Sequence, residues 1–81
     1  MQNYSLTLDS LPLGKKARIV DLEACGPVRR RMLDLGIIKD TSIEAIQSSP
    51  SGDPIAYLIR GALIAIRSEE AKKILIKIDN H

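Results

Sequence analysis

Gly26-Pro27-Val28-Arg29-Arg30-Arg31-Met32-Leu33-Asp34-Leu35-Gly36 reads as one short helix in a chain whose other apolar segments read as strands. Pro27 suits the first helical position, where its φ is pre-set and its missing N–H costs nothing. Gly36 suits the left-handed residue that stops a helix. Val28, Met32 and Leu35 recur at i, i+4 and i+7, which predicts a core-facing stripe. At about 100° per residue, Leu33 falls between Arg29 and Arg30, away from that stripe. The helix is therefore expected to cover a set of strands with one side. Its other side is basic and carries an exposed leucine.

On the N-terminal side, residues 1–7 read as a loose lead-in. Thr7-Leu8-Asp9-Ser10-Leu11-Pro12 reads as a single helical turn capped by Thr7, packing Leu8 and Leu11 onto the core. Residues 15–23 form a predicted strand with apolar members on both faces, as in a small barrel where its ends and middle meet different neighbours. On the C-terminal side, Ile37 anchors the chain after the helix stop, and Lys39-Asp40 makes a turn. Strands follow at 42–48, 55–60, 62–67 and 74–78. Ser49-Pro50-Ser51-Gly52-Asp53-Pro54 is a hairpin tip, and Gly61 permits a tight turn. Residues 68–73 read as a helical turn capped by Ser68, with Glu69 and Glu70 at its positive end and Lys72 and Lys73 at its negative end. Residues 79–81 are expected to fray. The pattern is mainly β with short helices: about five strands in a small barrel, which would leave no exposed sheet edge.

The 81 residues suffice for one domain, 1–81, with its core in 6–78. Ile, Leu and Ala must build that core, because there is no Phe or Trp and the only aromatic residues are Tyr4 and Tyr57. This scarcity excludes two function classes. Small barrels that bind single-stranded nucleic acid stack bases on aromatic platforms, and grooves for Pro-rich peptides need aromatic walls. The net charge of +2 is too small to identify a partner. No apolar run approaches the ~20 residues of a membrane helix, and polar residues interrupt the N-terminus where a signal peptide would be apolar. Cys25 is the single cysteine, so no internal disulfide forms, which suits a reducing cytoplasm; it reads as a small buried filler.

Catalysis finds no constellation. The only histidine is His81, the last residue, so no internal imidazole can activate a serine. The glycines are isolated and build no phosphate loop, and neither a zinc-type Cys/His spacing nor an EF-hand cluster is present. No catalytic residue, metal ligand or cofactor is expected. What remains is the cluster Arg29-Arg30-Arg31. It has the composition of a solvated helix face, and also that of a docking face for an acidic protein surface or for phosphates. Arg31 flanks the core stripe and is expected to pair with Asp34 or a strand carboxylate. The partner-binding candidates are Arg29, Arg30 and Leu33, with Lys39 nearby and the tip residues Gly52 and Asp53 as a second patch.

Three ordered segments resemble one known family. They are Leu11-Pro12-Leu13-Gly14 with Ala17-Arg18-Ile19, Arg30-Arg31-Met32-Leu33-Asp34-Leu35-Gly36-Ile37, and Ile64-Ala65-Ile66-Arg67-Ser68-Glu69-Glu70-Ala71 running on to Ile74 and Ile76. With the Gly52-Asp53-Pro54 tip they resemble the FeoA family of bacterial ferrous iron uptake. The resemblance implies an SH3-like β-barrel of about five strands with an inserted helix, and an accessory role rather than catalysis. It implies a cytoplasmic protein partnered with FeoB, a membrane transporter carrying a G-protein domain, which it would modulate. Related domains end DtxR-type repressors, a role that would require a fragment here. The alternatives are an iron-responsive module or a self-associating one, with strand 74–78 as the edge of a weak homo-oligomer. Two departures stand out: Lys39-Asp40 where the family often has Pro-Gly, and Met32 where it often has Leu.

Overall fold

Apolar alternation breaks at two places in this chain, and each break is a β-bulge. The computed structural model describes residues 6–78. Strand β2 (Lys16–Leu22) buries Ala17 and Ile19 and then, one residue late, Leu22. Its pairing with β6 (Ile74–Ile78) slips between Ile19 and Asp21. Strand β3 (Ser42–Ser48) buries Ile43 and Ala45, and its pairing with β4 (Ile55–Ile59) slips between Ala45 and Gln47. The extra residues are Val20 and Ile46. A bulge changes which face the following side chains take, so the mixed faces of β2 reflect a bulge within one strand.

Among the described residues six strands form one antiparallel sheet in the order β1-β6-β2-β3-β4-β5, where β1 is Leu6–Thr7 and β5 is Ala62–Ile66. Three expectations change. The sixth strand is the two-residue β1, paired with Leu75 and Ile76, where the sequence predicted a lead-in. Among the described residues the sheet runs from β1 to β5 without closing. Strand 74–78 is no edge: it lies between β1 and β2, with Ile74 and Ile76 fully buried. Its isoleucines alternate inward with a neighbour on each side, which is the burial that an isoleucine-rich strand needs. Tyr4 and the terminal residues 79–81 lie outside the described residues.

The core gathers Leu8, Ile19, Ile37, Ile43, Tyr57, Ile59, Ile74 and Ile76, each under 2% exposed. Leu8 and Leu11 enter it from a 3₁₀ turn, Leu8–Ser10, as predicted. Thr7 stands at the head of that turn without capping it through its side chain; its hydroxyl is bonded to the Asp9 carboxylate instead.

Helix α1 (Gly26–Asp34) buries Met32 and half-buries Val28. Leu35 does not complete the stripe; it is 40% exposed. The reason is how the helix stops. Gly36, at φ +92°, donates to the Leu33 carbonyl at 3.0 Å, and Ile37 donates to the Met32 carbonyl at 3.0 Å. This is a Schellman stop, in which the residue after the glycine folds back over the last turn. Ile37, 1% exposed, therefore takes the core place beside Met32 that the periodicity assigned to Leu35.

Candidate functional site

The outer face of α1 rises from the end of β2, joined to it through Glu23, Ala24 and Cys25. Cys25 takes the N-cap position with extended backbone and no side-chain cap bond, and Pro27 sits in the first turn. Cys25 is exposed rather than a buried filler; Ala24, at 5%, fills the adjacent interior place.

The three arginines have different jobs. The Arg29 guanidinium donates from Nη1 to the Leu22 carbonyl at 3.1 Å, which ties the first turn of α1 to the end of β2. Arg31 pairs with Glu70 on the second helix, α2 (Ser68–Ala71), and so bridges the two helices. The expected partners, Asp34 and a strand carboxylate, are not used. Three residues along a helix suits an ion pair only if both side chains turn toward each other, and here Glu70 is offered across the gap between helices. Among the described residues Arg30 makes no side-chain hydrogen bond or ion pair, so it is the arginine whose charge is free.

Gly26, Pro27, Arg29, Arg30, Leu33 and Asp34 line a shallow depression of about 720 Å³ along this face. Leu33, 40% exposed, lies in it between the two arginines, as the helical spacing predicted. The structure thus brings together Arg29, Arg30 and Leu33.

The other candidates lie apart from that depression. Lys39 is exposed on the turn after the helix and does not line it. Its neighbour Asp40 takes φ +70°, donates its N–H to the Ile19 carbonyl at 2.7 Å and accepts from Arg18 at 3.2 Å. Gly52 shapes the hairpin tip, with φ +92° and its N–H donated to the Ser49 carbonyl at 2.8 Å. Asp53 accepts the Ser68 N–H at 2.8 Å. Ser68 is therefore not the cap of α2; Arg67 holds the N-cap position with no side-chain bond, and the hairpin carboxylate satisfies the first turn from outside.

Beneath the tip, Tyr57 is 1% exposed. Burial raises its phenol, helped by the carboxylates of Asp9 and then Asp53, to a pKa of about 12. Among the described residues no three of His, Cys, Asp and Glu converge as a metal site would require. No helix among the described residues is long and apolar enough to cross a membrane. The sequence reading missed the open flank of β5, where Leu63 is 64% exposed. The available signal was an uncharged run, Ala62 to Ile66, directly after a two-residue turn.

The FeoA domain model matches residues 6–78. A fusion protein of Porphyromonas gingivalis, Fe(2+) transport protein A joined to the Fe(2+) transporter FeoB, is 33% identical over 73 residues, which are 90% of this chain and 9% of that protein. A Campylobacter jejuni relative bearing the name Fe(2+) transport protein A is 34% identical over 73 residues, 90% of this chain and 99% of its own length. The zinc-complexed FeoA of Stenotrophomonas maltophilia, described as a procaryotic SH3 domain protein, superposes with a TM-score of 0.80 at 25% identity, covering 89% of each chain. The open six-stranded sheet is accordingly SH3-like.

Proposed function

This chain belongs to the FeoA domain family, and from that membership we propose that it docks through α1 on the cytoplasmic G-protein region of an FeoB-like transporter and modulates ferrous iron uptake. The observation that carries the proposal is the depression on α1, where Leu33 lies between two arginines. A central apolar side chain rimmed by guanidinium groups is a composition that docking faces favour. Arg30 steers approach to an acidic surface, and Leu33 supplies the apolar contact that holds it. The P. gingivalis fusion supports the pairing, because covalent linkage replaces a docking step with a high effective concentration. The role is that of a cytoplasmic binding accessory rather than a catalyst.

Leu33→Glu tests this reading. It leaves the far-UV circular dichroism unchanged and reduces capture by the purified G-protein region of an FeoB-like partner. Wild-type capture by the folded variant overturns docking through this face.

A further inference from the structure

Helix α1 is held to the rest of the fold at few points. Between the buried Ala24 and the buried Ile37, Met32 is the only fully buried side chain, and Val28 is half-buried. A surface helix is usually held by roughly three or four apolar residues per two turns, and with so few the roll about its axis is left open. Two polar contacts close that freedom. At about 100° per residue, Arg29 falls about 60° to one side of Met32 and Arg31 about 100° to the other. The Arg29 guanidinium holds the Leu22 carbonyl at 3.1 Å, and Arg31 pairs with Glu70 of α2. The helix is thus braced from both flanks. Arg30 and Leu33 lie on the remaining outward arc, so the roll of the helix sets how they face a partner.

The Glu70 brace has a fixed base. Ala71, next to it, is fully buried, and Asp53 of the hairpin tip accepts the Ser68 N–H at 2.8 Å. So α2 is seated on the core at one end and capped from outside at the other. The Glu70 side chain is 23% exposed and that of Arg31 55%, so the guanidinium reaches toward the more enclosed carboxylate. Neither residue lines the α1 depression. An ion pair this open adds little to stability, so its effect lies in orientation.

We infer that Glu70 is a positioning residue for the docking face: through Arg31 it fixes the roll of α1 and presents Arg30 and Leu33 together to an acidic partner surface. The inference rests on docking through α1. Removing the brace leaves Met32 and the Arg29 bond in place, so the helix stays formed and rolls. Steering depends on charge at a distance and tolerates a changed roll, whereas the docked contacts do not. The loss therefore falls on dissociation rather than association.

Residual dipolar couplings of the free protein test this together with surface plasmon resonance on the FeoB-like G-protein region. In Glu70→Gln the couplings of residues 26–34 depart from the wild-type orientation, while those of the strands keep it. Dissociation speeds up about two- to thirty-fold, the range for residues that act on a site without touching its ligand. Arg31→Gln does the same, and the double variant loses no more than either single change, because each removes the same brace. Unchanged couplings of residues 26–34 in Glu70→Gln overturn the inference, whatever the partner does. So does dissociation that is unchanged or slower, the latter meaning that Glu70 competes with the partner for Arg31. An Arg31→Gln loss far beyond that of Glu70→Gln makes Arg31 a partner contact and also overturns it. Wild-type capture by Leu33→Glu is the separate failure of docking through α1, and the couplings then decide alone whether Glu70 orients the helix.

Discussion

Asp53 and Ser68 are joined across fifteen residues by one hydrogen bond, in which the hairpin-tip carboxylate accepts the first free N–H of α2 at 2.8 Å. A helix of four residues has few internal bonds, so its start depends on an outside acceptor. The bond couples the 49–54 tip to the turn that returns the chain into β6. Asp53→Ala should cost about 1 kcal/mol, the usual loss for an N-terminal cap. Asp53→Asn keeps an acceptor oxygen and should cost less. Urea midpoints of the three proteins check the order.

Arg30 and Arg29 should separate kinetically. Among the described residues no other group holds Arg30, so Arg30→Ala should slow association with the FeoB-like G-protein region several-fold at low salt and little at high salt, as steering charges do. Arg29 also bonds the Leu22 carbonyl, so Arg29→Ala should lower fold stability, by about 1 kcal/mol. Surface plasmon resonance at two salt concentrations, with parallel denaturation curves, distinguishes them.

Tyr57 should make the fold alkali-sensitive. Its phenol pKa rises from an ordinary 10 to about 12 in the folded chain. Below pH 10 both states keep the proton, and this group adds no pH dependence. Between pH 10 and 12 the unfolded phenol loses its proton while the native one retains it, so stability falls as pH rises, by about 1.4 kcal/mol per unit. Tyr57→Phe removes this loss. Urea midpoints from pH 9 to 12 should decline less steeply for the variant; parallel declines would refute the assignment.

Gly36 and Asp40 both take positive φ, and their substitutions should have opposite signs. Gly36→Ala places a Cβ 3.3 Å from Cδ of the flexible Arg60 side chain, so crowding is minor and the backbone at φ +92° decides. The cost should be about 1–2 kcal/mol, the left-handed penalty of a residue with a Cβ. Asp40→Gly relieves φ +70° and keeps the N–H bond to Ile19, so it should stabilise by less than about 1 kcal/mol. Thermal midpoints measure both.

Much of this molecule is legible in its residues because the signals are local. Pro27 and Gly36 bound α1, Leu8 and Leu11 mark the 3₁₀ turn, and alternation puts Ile43 with Ala45, and Tyr57 with Ile59, on one face of each strand, the face that is buried. The helical period also placed Leu33 between Arg29 and Arg30 on the exposed face. Each of these follows from backbone geometry within a few residues, which side-chain identity controls directly.

What the sequence could not determine is what depends on distant chain meeting distant chain. It assigned Leu35 inward because a period carries no record of a Schellman stop that substitutes Ile37. It made 74–78 an edge because an isoleucine-rich strand has the same composition whether it has one neighbour or two; only the β1-β6-β2 order resolves that. It set Arg31 apart but named the wrong partner for it and left Arg29 and Arg30 equal, although Glu70 holds Arg31, the Leu22 carbonyl holds Arg29 and, among the described residues, Arg30 makes no side-chain bond. A single sequence therefore determined the described elements other than β1, and the helix face that carries the candidate site. Tertiary structure decided which charges are already spent and which sheet edge is open, because both depend on partners brought together only by folding.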